Sequence, residues 1–248
     1  MSSKNKAIRD LHAKMYIDAV FAETLKQEGF MNPDGKSISW YRVVNNELIH
    51  AVYFHATWAN LPLMGMMIES RVFPLFDKPN YYPGIYSGSS NRHFGYRVTR
   101  ITDLPDERGN ICMAPYSRDI QVMACTSGKR GLSTLETEVL PWFQQAMTLA
   151  DYYCLAEGEY KNSVIFSDFL LADISTLCIL YDETDKYLVY SNQLATDIPK
   201  WVDEKKKANL IAIKAVLDGG SREEFLQNLE VQKAKNIKWM KKMGIIIG

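Results

Sequence analysis

The chain has 248 residues, of which 47% are hydrophobic and 23% are charged, and its formal net charge at pH 7 is +0. This composition is typical of a globular protein with a sizeable core. The lack of net positive charge argues against binding to a nucleic-acid backbone, and no apolar run approaches the roughly 18 residues of a membrane-spanning helix. We therefore expect neither nucleic acid nor membrane among its partners.

The first predicted element is an amphipathic helix over residues 4–28. Its apolar side chains recur at three- and four-residue steps, as Ile8, Leu11, Met15, Ala19, Ala22 and Leu25. This spacing predicts one buried stripe along the cylinder. Gly29 supplies the residue type that most often ends a helix, because it adopts a positive φ without strain.

Four segments then alternate apolar and polar residues with a period of two, as expected of strands. They lie at residues 37–44, 47–58, 63–73 and 93–101, with shorter candidates at 110–115 and 118–125. Asn45 and Asn46 predict a tight hairpin between the first two strands. The pattern predicts an antiparallel sheet of four to six strands, covered on one face by helices, whose even-numbered side chains are buried.

Beyond Gly131 the periodicity becomes helical. Ser133 with Glu136, and Ser221 with Glu224, have the spacing of capping boxes, and Pro141 predicts a break or kink. Further helices are predicted over 167–181, 185–202 and 205–217, although residues 177–190 also fit a β-hairpin. The fold class is therefore α+β, with a helix and sheet in residues 1–131 and a helical region in 132–248. The alternative is one continuous domain.

The cysteines Cys112, Cys125, Cys154 and Cys178 form no CxxC pair. This spacing favours buried free thiols over zinc ligands or a disulfide framework. The amino terminus has charges spread through it and no continuous apolar core of a secretion signal. These features predict a cytoplasmic protein in a reducing compartment.

Several short motifs together resemble the bacterial domain-of-unknown-function family 4304. They are "LKQEGF" at 25–30, Trp40-Tyr41-Arg42, Val52-Tyr53-Phe54, "YRVTRITDL" from Tyr96 and "VLPWF" from Val139. The resemblance covers roughly residues 10–155. It implies an α+β protein of the bacterial cytoplasm, and because the family has no established chemistry it transfers no catalytic residue.

Two regions are candidate sites. The first is the mixed, odd-numbered face of the sheet, where the predicted pairing groups Tyr41, Tyr53, His55, Glu69, Arg71 and Arg97. The second is the irregular segment "YYPGIYSGSSNRHFGY", residues 81–96, whose tyrosines, glycines and serines have the composition of a recognition loop. Its candidate contacts are Tyr82, Tyr86, Arg92 and His93, and its cations favour an anionic ligand. The alternative is a loop that merely closes one end of the sheet.

Three functions follow from these residues. The leading prediction is a non-enzymatic module that binds another protein or a small anionic ligand. The first alternative is a hydrolase or transferase with His55 or His93 as base and Arg97 as anion clamp, and the second is a structural subunit of a homo-oligomer. His50 is predicted to be a hydrogen-bonded core histidine. Because the histidines do not converge, no metal or cofactor is predicted.

Overall fold

The computed structural model describes residues 3–33, 38–58, 64–76, 96–101, 104–105, 111–112, 131–162, 167–201 and 204–245. The predicted strand at 118–125 and almost all of the predicted loop 81–96 lie outside these residues. The chain divides into two compact units. The first comprises Met1–Pro74, Gly95–Thr148 and Lys238–Gly248, and the second comprises Leu75–Phe94 and Leu149–Ile237. These limits differ from the boundary predicted after residue 131, and separate folding of the two predicted regions stays a prediction.

The first unit begins with helices α1 (Ser3–Val20) and α2 (Ala22–Gln27). Gly29 has a φ of +77°, its N–H bonds the carbonyl of Lys26, and the N–H of Phe30 bonds that of Leu25. These two bonds form the Schellman motif that ends a helix. The predicted end of the helix is thus confirmed.

The predicted buried stripe of this helix is wrong in its first half. Leu11 and Met15 are 59% and 46% exposed, whereas Tyr16 and Phe21 are fully buried. The ring of Phe21 packs against that of Phe54, with 4.9 Å between centroids. Aromatic rings bury more area than leucine or methionine, so they set which side of the helix faces the sheet.

The described strands of the main sheet are β1 (Ser39–Val44), β2 (Leu48–Trp58), β3 (Met64–Pro74) and β4 (Tyr96–Ile101), paired antiparallel in that order. A separate pair joins β5 (Leu104–Pro105) to β6 (Ile111–Cys112). The α+β class and the antiparallel sheet are confirmed. The total number of strands and the helical cover of one face alone stay predictions.

A tight turn joins β1 to β2 at the predicted place. Asn45 and Asn46 have φ values of 51° and 54°, and the N–H of Glu47 bonds the carbonyl of Val44 over 3.0 Å. The free side of β1 is bridged by Met31, which exchanges two backbone hydrogen bonds of 2.8 and 2.9 Å with Tyr41. The chain therefore covers its own sheet edge at this position.

The even-numbered side chains of β1–β3 that the structure describes are buried, as predicted, except for the half-buried Arg42. They include Trp40, Val44, Leu48, His50, Val52, Phe54, Ile68 and Val72. The odd-numbered face is not left open, however, because Ile49 and Ala51 are fully buried and Phe73 is 7% exposed. The prediction that the side chains of this face are available for contact is therefore wrong at Ile49 and Ala51 on β2 and at Phe73 on β3.

Residues 131–143 form a helical segment that contains a π-helical turn, Leu135–Val139, followed by α3 (Leu140–Phe143). Pro141 has no N–H to donate to the carbonyl four residues earlier and cannot sit in a regular α-helix interior. The interruption occurs just before it, in agreement with the predicted break. Ser133 already lies within the helix, so the capping box predicted there is not formed.

From Leu149 onward, the described part of the second unit is helical. Its helices are α4 (Leu149–Asn162), α5 (Ser167–Leu180), α6 (Thr184–Asp197) with a short 3-10 turn (Ile198–Lys200), α7 (Glu204–Leu217) and α8 (Arg222–Lys242), whose end belongs to the first unit. Helix α5 is buried on nearly all sides and contacts α4, α6 and α7. Asp182, with a φ of 55°, lies in the turn between α5 and α6. The β-hairpin alternative for 177–190 is therefore wrong, and the predicted helical carboxyl-terminal region is confirmed.

Candidate functional site

The structure describes only part of the predicted site. Side chains are described for Tyr41, Tyr53 and Glu69, and backbones alone for His55 and Arg97. Four predicted contacts lie outside the described residues, namely Tyr82, Tyr86, Arg92 and His93. Predictions that depend on these side chains, including the enzyme alternative with His55 or His93 as base, therefore stay predictions.

Tyr41 and Tyr53 form a ring pair on the odd-numbered face of the sheet. Their centroids lie 5.7 Å apart and their planes meet at 88°, the edge-to-face geometry that aromatic pairs prefer. Tyr53 is opposite Ser39 on β1, and Tyr41 is opposite Ala51 on β2, so the two rings approach along a diagonal of the ladder. Both side chains are half-buried.

Glu69 and Arg71 hold one of these rings from the neighbouring strand. Tyr53 is directly opposite Glu69, and the guanidinium carbon of Arg71 lies 5.4 Å from the centroid of the Tyr53 ring. Arg71 donates to the Glu69 carboxylate as a close ion pair, with side-chain exposures of 11% and 1%. The pair has no net charge, so the cluster formed by Tyr41, Tyr53, Glu69 and Arg71 does not by itself favour an anion.

The environment of Tyr53 keeps its phenol protonated. Burial raises the pKa of Tyr53 well above its ordinary value, and the charge and hydrogen bond of Tyr41 raise it further. The negative charge of Glu69 raises the pKa of Tyr53 by a smaller amount, and the positive charge of Arg71 partly opposes the shift. The hydroxyl can therefore donate or accept hydrogen bonds, but it does not ionise at ordinary pH.

Arg97 is not in register with this cluster. Glu69 pairs with Val98, while Arg97 pairs with Ser70, which in turn is opposite Val52. Positions directly opposite one another share a face of the sheet, so the backbone position of Arg97 belongs to the row of Val52. The prediction that Arg97 shares a face with Tyr53 and Glu69 is wrong, because the alternation along β4 is displaced by one residue from that assumed.

His50 is a core residue, as predicted. It is fully buried, and its ring stacks on Phe143 with 4.6 Å between centroids and 16° between planes. Its Nδ1 accepts a hydrogen bond from Nε of Arg42, and its Nε2 lies 2.7 Å from the carbonyl oxygen of Ala146. Both ring nitrogens are therefore engaged within the protein.

Sequence reasoning missed a polar network in the second unit. Nζ of Lys186 on α6 donates to Glu157 on α4 over 2.9 Å and lies 2.5 Å from Glu183. The hydroxyl of Tyr153 donates to Glu183 over 2.7 Å, and that of Tyr190 donates to Glu157. The four-residue spacings 153/157 and 186/190 place each pair on one helix face, and this signal was present in the sequence.

The network of Tyr153, Glu157, Glu183, Lys186 and Tyr190, here called the clamp between α4 and α6, links the two helices. Its charge states favour these hydrogen bonds. Burial and the hydrogen bond to Glu183 raise the pKa of Tyr153 far above its ordinary range. Burial alone would lower the pKa of Lys186, but hydrogen bonds to Glu183 and Glu157 outweigh it and raise that pKa. Burial also raises the pKa of the nearby Cys178 thiol to about 12. The lysine stays charged and the thiol protonated, so neither is an activated nucleophile.

The cysteines agree with prediction only in part. Cys178 is buried, whereas Cys154 is exposed. Within the ranges that the structure describes, no group of three or more His, Cys, Asp or Glu side chains is placed to hold a metal ion. Nor does any helix in those ranges have the length and apolar character to cross a membrane.

No protein-family model, no curated protein and no solved structure matches this chain. The resemblance to family 4304 over roughly residues 10–155 therefore stays a prediction. Any functional conclusion depends on the side chains of the chain itself.

Proposed function

We propose that this protein is a non-enzymatic binding module that uses Tyr41 and Tyr53 of the sheet and, as a separate contact element, the tyrosine-rich loop 81–96. The observation that carries the proposal is the half-buried, edge-to-face pair of Tyr41 and Tyr53. Tyrosine supplies a large contact area at a low entropy cost, since few torsions must be frozen on binding. An ordered ring pair on a sheet lowers that cost further.

Support for binding over catalysis comes from the state of the described polar groups. The Tyr53 phenol stays neutral, the charge of Arg71 is matched by Glu69, and both nitrogens of His50 are engaged. Of these groups, the Tyr53 phenol can exchange hydrogen bonds with a ligand, whereas Arg71, Glu69 and His50 are paired within the protein and none of them is a free base or nucleophile. We therefore propose a ligand or partner protein that presents an apolar or planar group beside a hydrogen-bonding group.

The loop supplies the cationic side chains of the proposal. Arg92 and His93 follow the tyrosines of residues 81–86 in the sequence. Because the four-residue sheet cluster adds no net charge, preference for an anionic ligand would depend on these loop cations. The proposal thus predicts two separable effects, ring contact from Tyr41 and Tyr53 and charge selection from the loop.

A thermal-shift screen of metabolites tests the proposal, because a compound that binds only the native state raises its melting temperature. Any compound that stabilises the wild type is then titrated against three variants. Tyr41→Ala removes one ring of the pair, and Tyr82→Ala/Tyr86→Ala removes two loop rings. Tyr187→Ala is the matched control, since Tyr187 is a half-buried tyrosine of the second unit.

The proposal predicts that the first two variants weaken binding at least about tenfold, or about 1.4 kcal/mol, while the control binds as the wild type does. Equal affinity in all four proteins would contradict it. So would turnover of a stabilising compound, which would instead support the enzyme alternative.

A further inference from the structure

Three polar atoms on the even-numbered face of the sheet are buried without a hydrogen-bond partner. They are Nε1 of Trp40, Nη2 of Arg42 and Oγ of Ser70, and none of them has a partner among the residues that the structure describes. Trp40 is 2% exposed and Ser70 is fully buried, while the Arg42 side chain is 12% exposed. Nearly all buried polar groups in folded proteins have a partner, so each of these atoms needs an explanation.

The three atoms come from neighbouring positions of the sheet. Trp40 on β1 is opposite Val52 on β2, and Val52 is opposite Ser70 on β3. Trp40 and Ser70 therefore belong to one row across the sheet, with their Cα atoms about 10 Å apart. Arg42 follows Trp40 by two residues and shares its face, about 7 Å along the strand. The indole and guanidinium side chains are long enough to contact a small group that also contacts the serine.

The guanidinium of Arg42 is held in place by its other two nitrogens. Its Nε donates to Nδ1 of His50 over 3.2 Å, and its Nη1 donates to the carbonyl of Glu28 over 2.9 Å. Its carbon lies 4.6 Å from the centroid of the Phe30 ring. The carboxylate of Glu28 is 3.6 Å from Nη1, but this side chain is 43% exposed, and exposed ion pairs contribute little. Nη2 is thus a fixed donor of a charged group, and it lacks an acceptor.

These groups together require an acceptor that carries negative charge. The indole and the guanidinium are donors only, and the serine hydroxyl can also donate. A water molecule accepts at most two hydrogen bonds and carries no charge, whereas a carboxylate accepts up to four and carries one charge. A phosphate would bring nearly two charges against one guanidinium, and an unmatched buried charge is costly. A carboxylate therefore fits best.

The next row of the same face is apolar. Phe54 on β2 is opposite Ile68 on β3, and both residues are fully buried. They lie two residues along their strands from Val52 and Ser70. Mostly apolar surroundings with a few polar groups are typical of small-molecule sites. A ligand with a carboxylate and a short hydrocarbon part matches both rows.

We propose that Trp40, Arg42 and Ser70 bind a small apolar monocarboxylate on the buried face of the sheet. The carboxylate accepts from Nε1 of Trp40, from Nη2 of Arg42 and from the hydroxyl of Ser70, and the hydrocarbon part lies against the neighbouring apolar row. Tyr41 and Tyr53 of the proposed function belong to the odd-numbered face. Either proposal can therefore fail without the other.

The test uses the full chain after unfolding in urea, refolding and dialysis, which removes any ligand carried from the cell. Acetate, butyrate, hexanoate and benzoate are added at up to about 10 mM, and inorganic phosphate is the comparison ion. Binding is measured as a rise in melting temperature and as movement of the Trp40 indole N–H resonance, which is identified by its loss in Trp40→Phe. At least one of butyrate, hexanoate and benzoate should produce both changes, and phosphate should produce neither.

Ser70→Ala removes one donor with little change of shape, and should weaken binding of the active carboxylate at least about tenfold. Without carboxylate it should not lower the melting temperature, because it removes a buried polar group that has no partner. Ser175→Ala is the matched control. Ser175 on α5 is also fully buried, and its hydroxyl also has no partner in the described part of the chain, so this variant should bind as the wild type does.

The absence of a response to every carboxylate would overturn the proposal, because the three donors would then be satisfied by water or by other residues of the chain. Unchanged affinity in Ser70→Ala, or an equal response to phosphate, would overturn it as well. A rise in melting temperature without movement of the Trp40 indole resonance would locate binding elsewhere and contradict the site.

Discussion

Arg42 and His50 lie opposite each other on β1 and β2, and Nε of Arg42 donates a 3.2 Å hydrogen bond to Nδ1 of His50. An acceptor nitrogen carries no proton, so the proton of the neutral ring is on Nε2, which donates to the carbonyl of Ala146 over 2.7 Å. Burial, followed by the charge of Arg42, lowers the pKa of His50 to about 3, although the bond to Ala146 opposes the shift. Protonation would leave the Nε2 bond to Ala146 in place but would remove the acceptor of the Arg42 bond at Nδ1, so only the neutral ring makes both hydrogen bonds.

This pKa predicts acid sensitivity. In the unfolded chain a histidine has a pKa of about 6.5, so between about pH 6.5 and 3 the unfolded state binds more protons than the folded state. Stability therefore rises with pH in this window and is fully present above it. From pH 7 to 5, His50 should reduce the free energy of unfolding by about 2 kcal/mol, measured by urea denaturation.

His50→Gln is the control for this pH dependence, because glutamine can donate to a carbonyl but does not titrate. The variant should be less stable than the wild type at pH 7, and the difference between the two proteins should shrink at pH 5. A constant difference across this range would show that His50 is protonated in the folded state or does not contribute.

The buried ion pair beside Tyr53 predicts a non-additive double-mutant cycle. Glu69→Leu leaves the Arg71 guanidinium without its carboxylate in a buried position, and should cost about 3 to 5 kcal/mol of unfolding free energy. Glu69→Leu/Arg71→Met removes both charges and should cost less than the single variant. Chemical denaturation of the wild type, both single variants and the double variant measures the cycle, and additive losses would contradict a coupled pair.

Two tyrosines of α6 provide a matched test of the clamp between α4 and α6. Tyr190 is 6% exposed and donates to Glu157 on α4, whereas Tyr187 donates to the exposed Asp182 over 3.2 Å. Tyr190→Phe should lower the unfolding free energy by about 1.5 kcal/mol or more, because it leaves a partly buried carboxylate short of a donor. Tyr187→Phe should cost only a few tenths, and equal losses in thermal unfolding would argue against the clamp.

The two serines with capping-box spacing should respond differently to alanine. Oγ of Ser221 accepts a hydrogen bond of 3.2 Å from the backbone N–H of Glu224 at the start of α8. Ser221→Ala should therefore cost about 1 kcal/mol. Ser133→Ala lies within a helix, where alanine is preferred, and should be neutral or slightly stabilising. The pair is compared by urea denaturation, and a larger loss at Ser133 would show that it caps the helix after all.

Much of the fold could be predicted from the sequence because local signals were strong. The period of two placed β1 to β4, Asn45 and Asn46 placed the first hairpin, and Gly29 placed a helix end. Which side of α1 is buried was predicted wrongly, since a stripe containing Leu11 and Met15 competed with one containing Tyr16. Periodicity indicates that a helix has an apolar face, but here two faces were possible. The one that is buried carries Tyr16 and is followed by Phe21, whose ring packs on Phe54 of the sheet.

The candidate site was predictable only within single strand pairs. Tyr53 and Glu69 were grouped correctly because both belong to a hairpin whose register is continuous. Arg97 was grouped wrongly because a long segment separates β3 from β4, and one residue of displacement moves every side chain to the other face. The network of Tyr153 and Lys186 joins separate helices, and no local pattern states which helices become neighbours.

The bridge between Met31 and Tyr41 has a consequence for how the protein behaves at high concentration. An uncovered outer strand is a template on which further chains can add, and such growth is the first step toward fibrils. Here the backbone groups of Tyr41 are already taken by a residue of the same chain. Addition of another chain at Tyr41 of β1 should therefore require the segment around Met31 to detach first, which makes that segment a target for engineering resistance to aggregation at this edge.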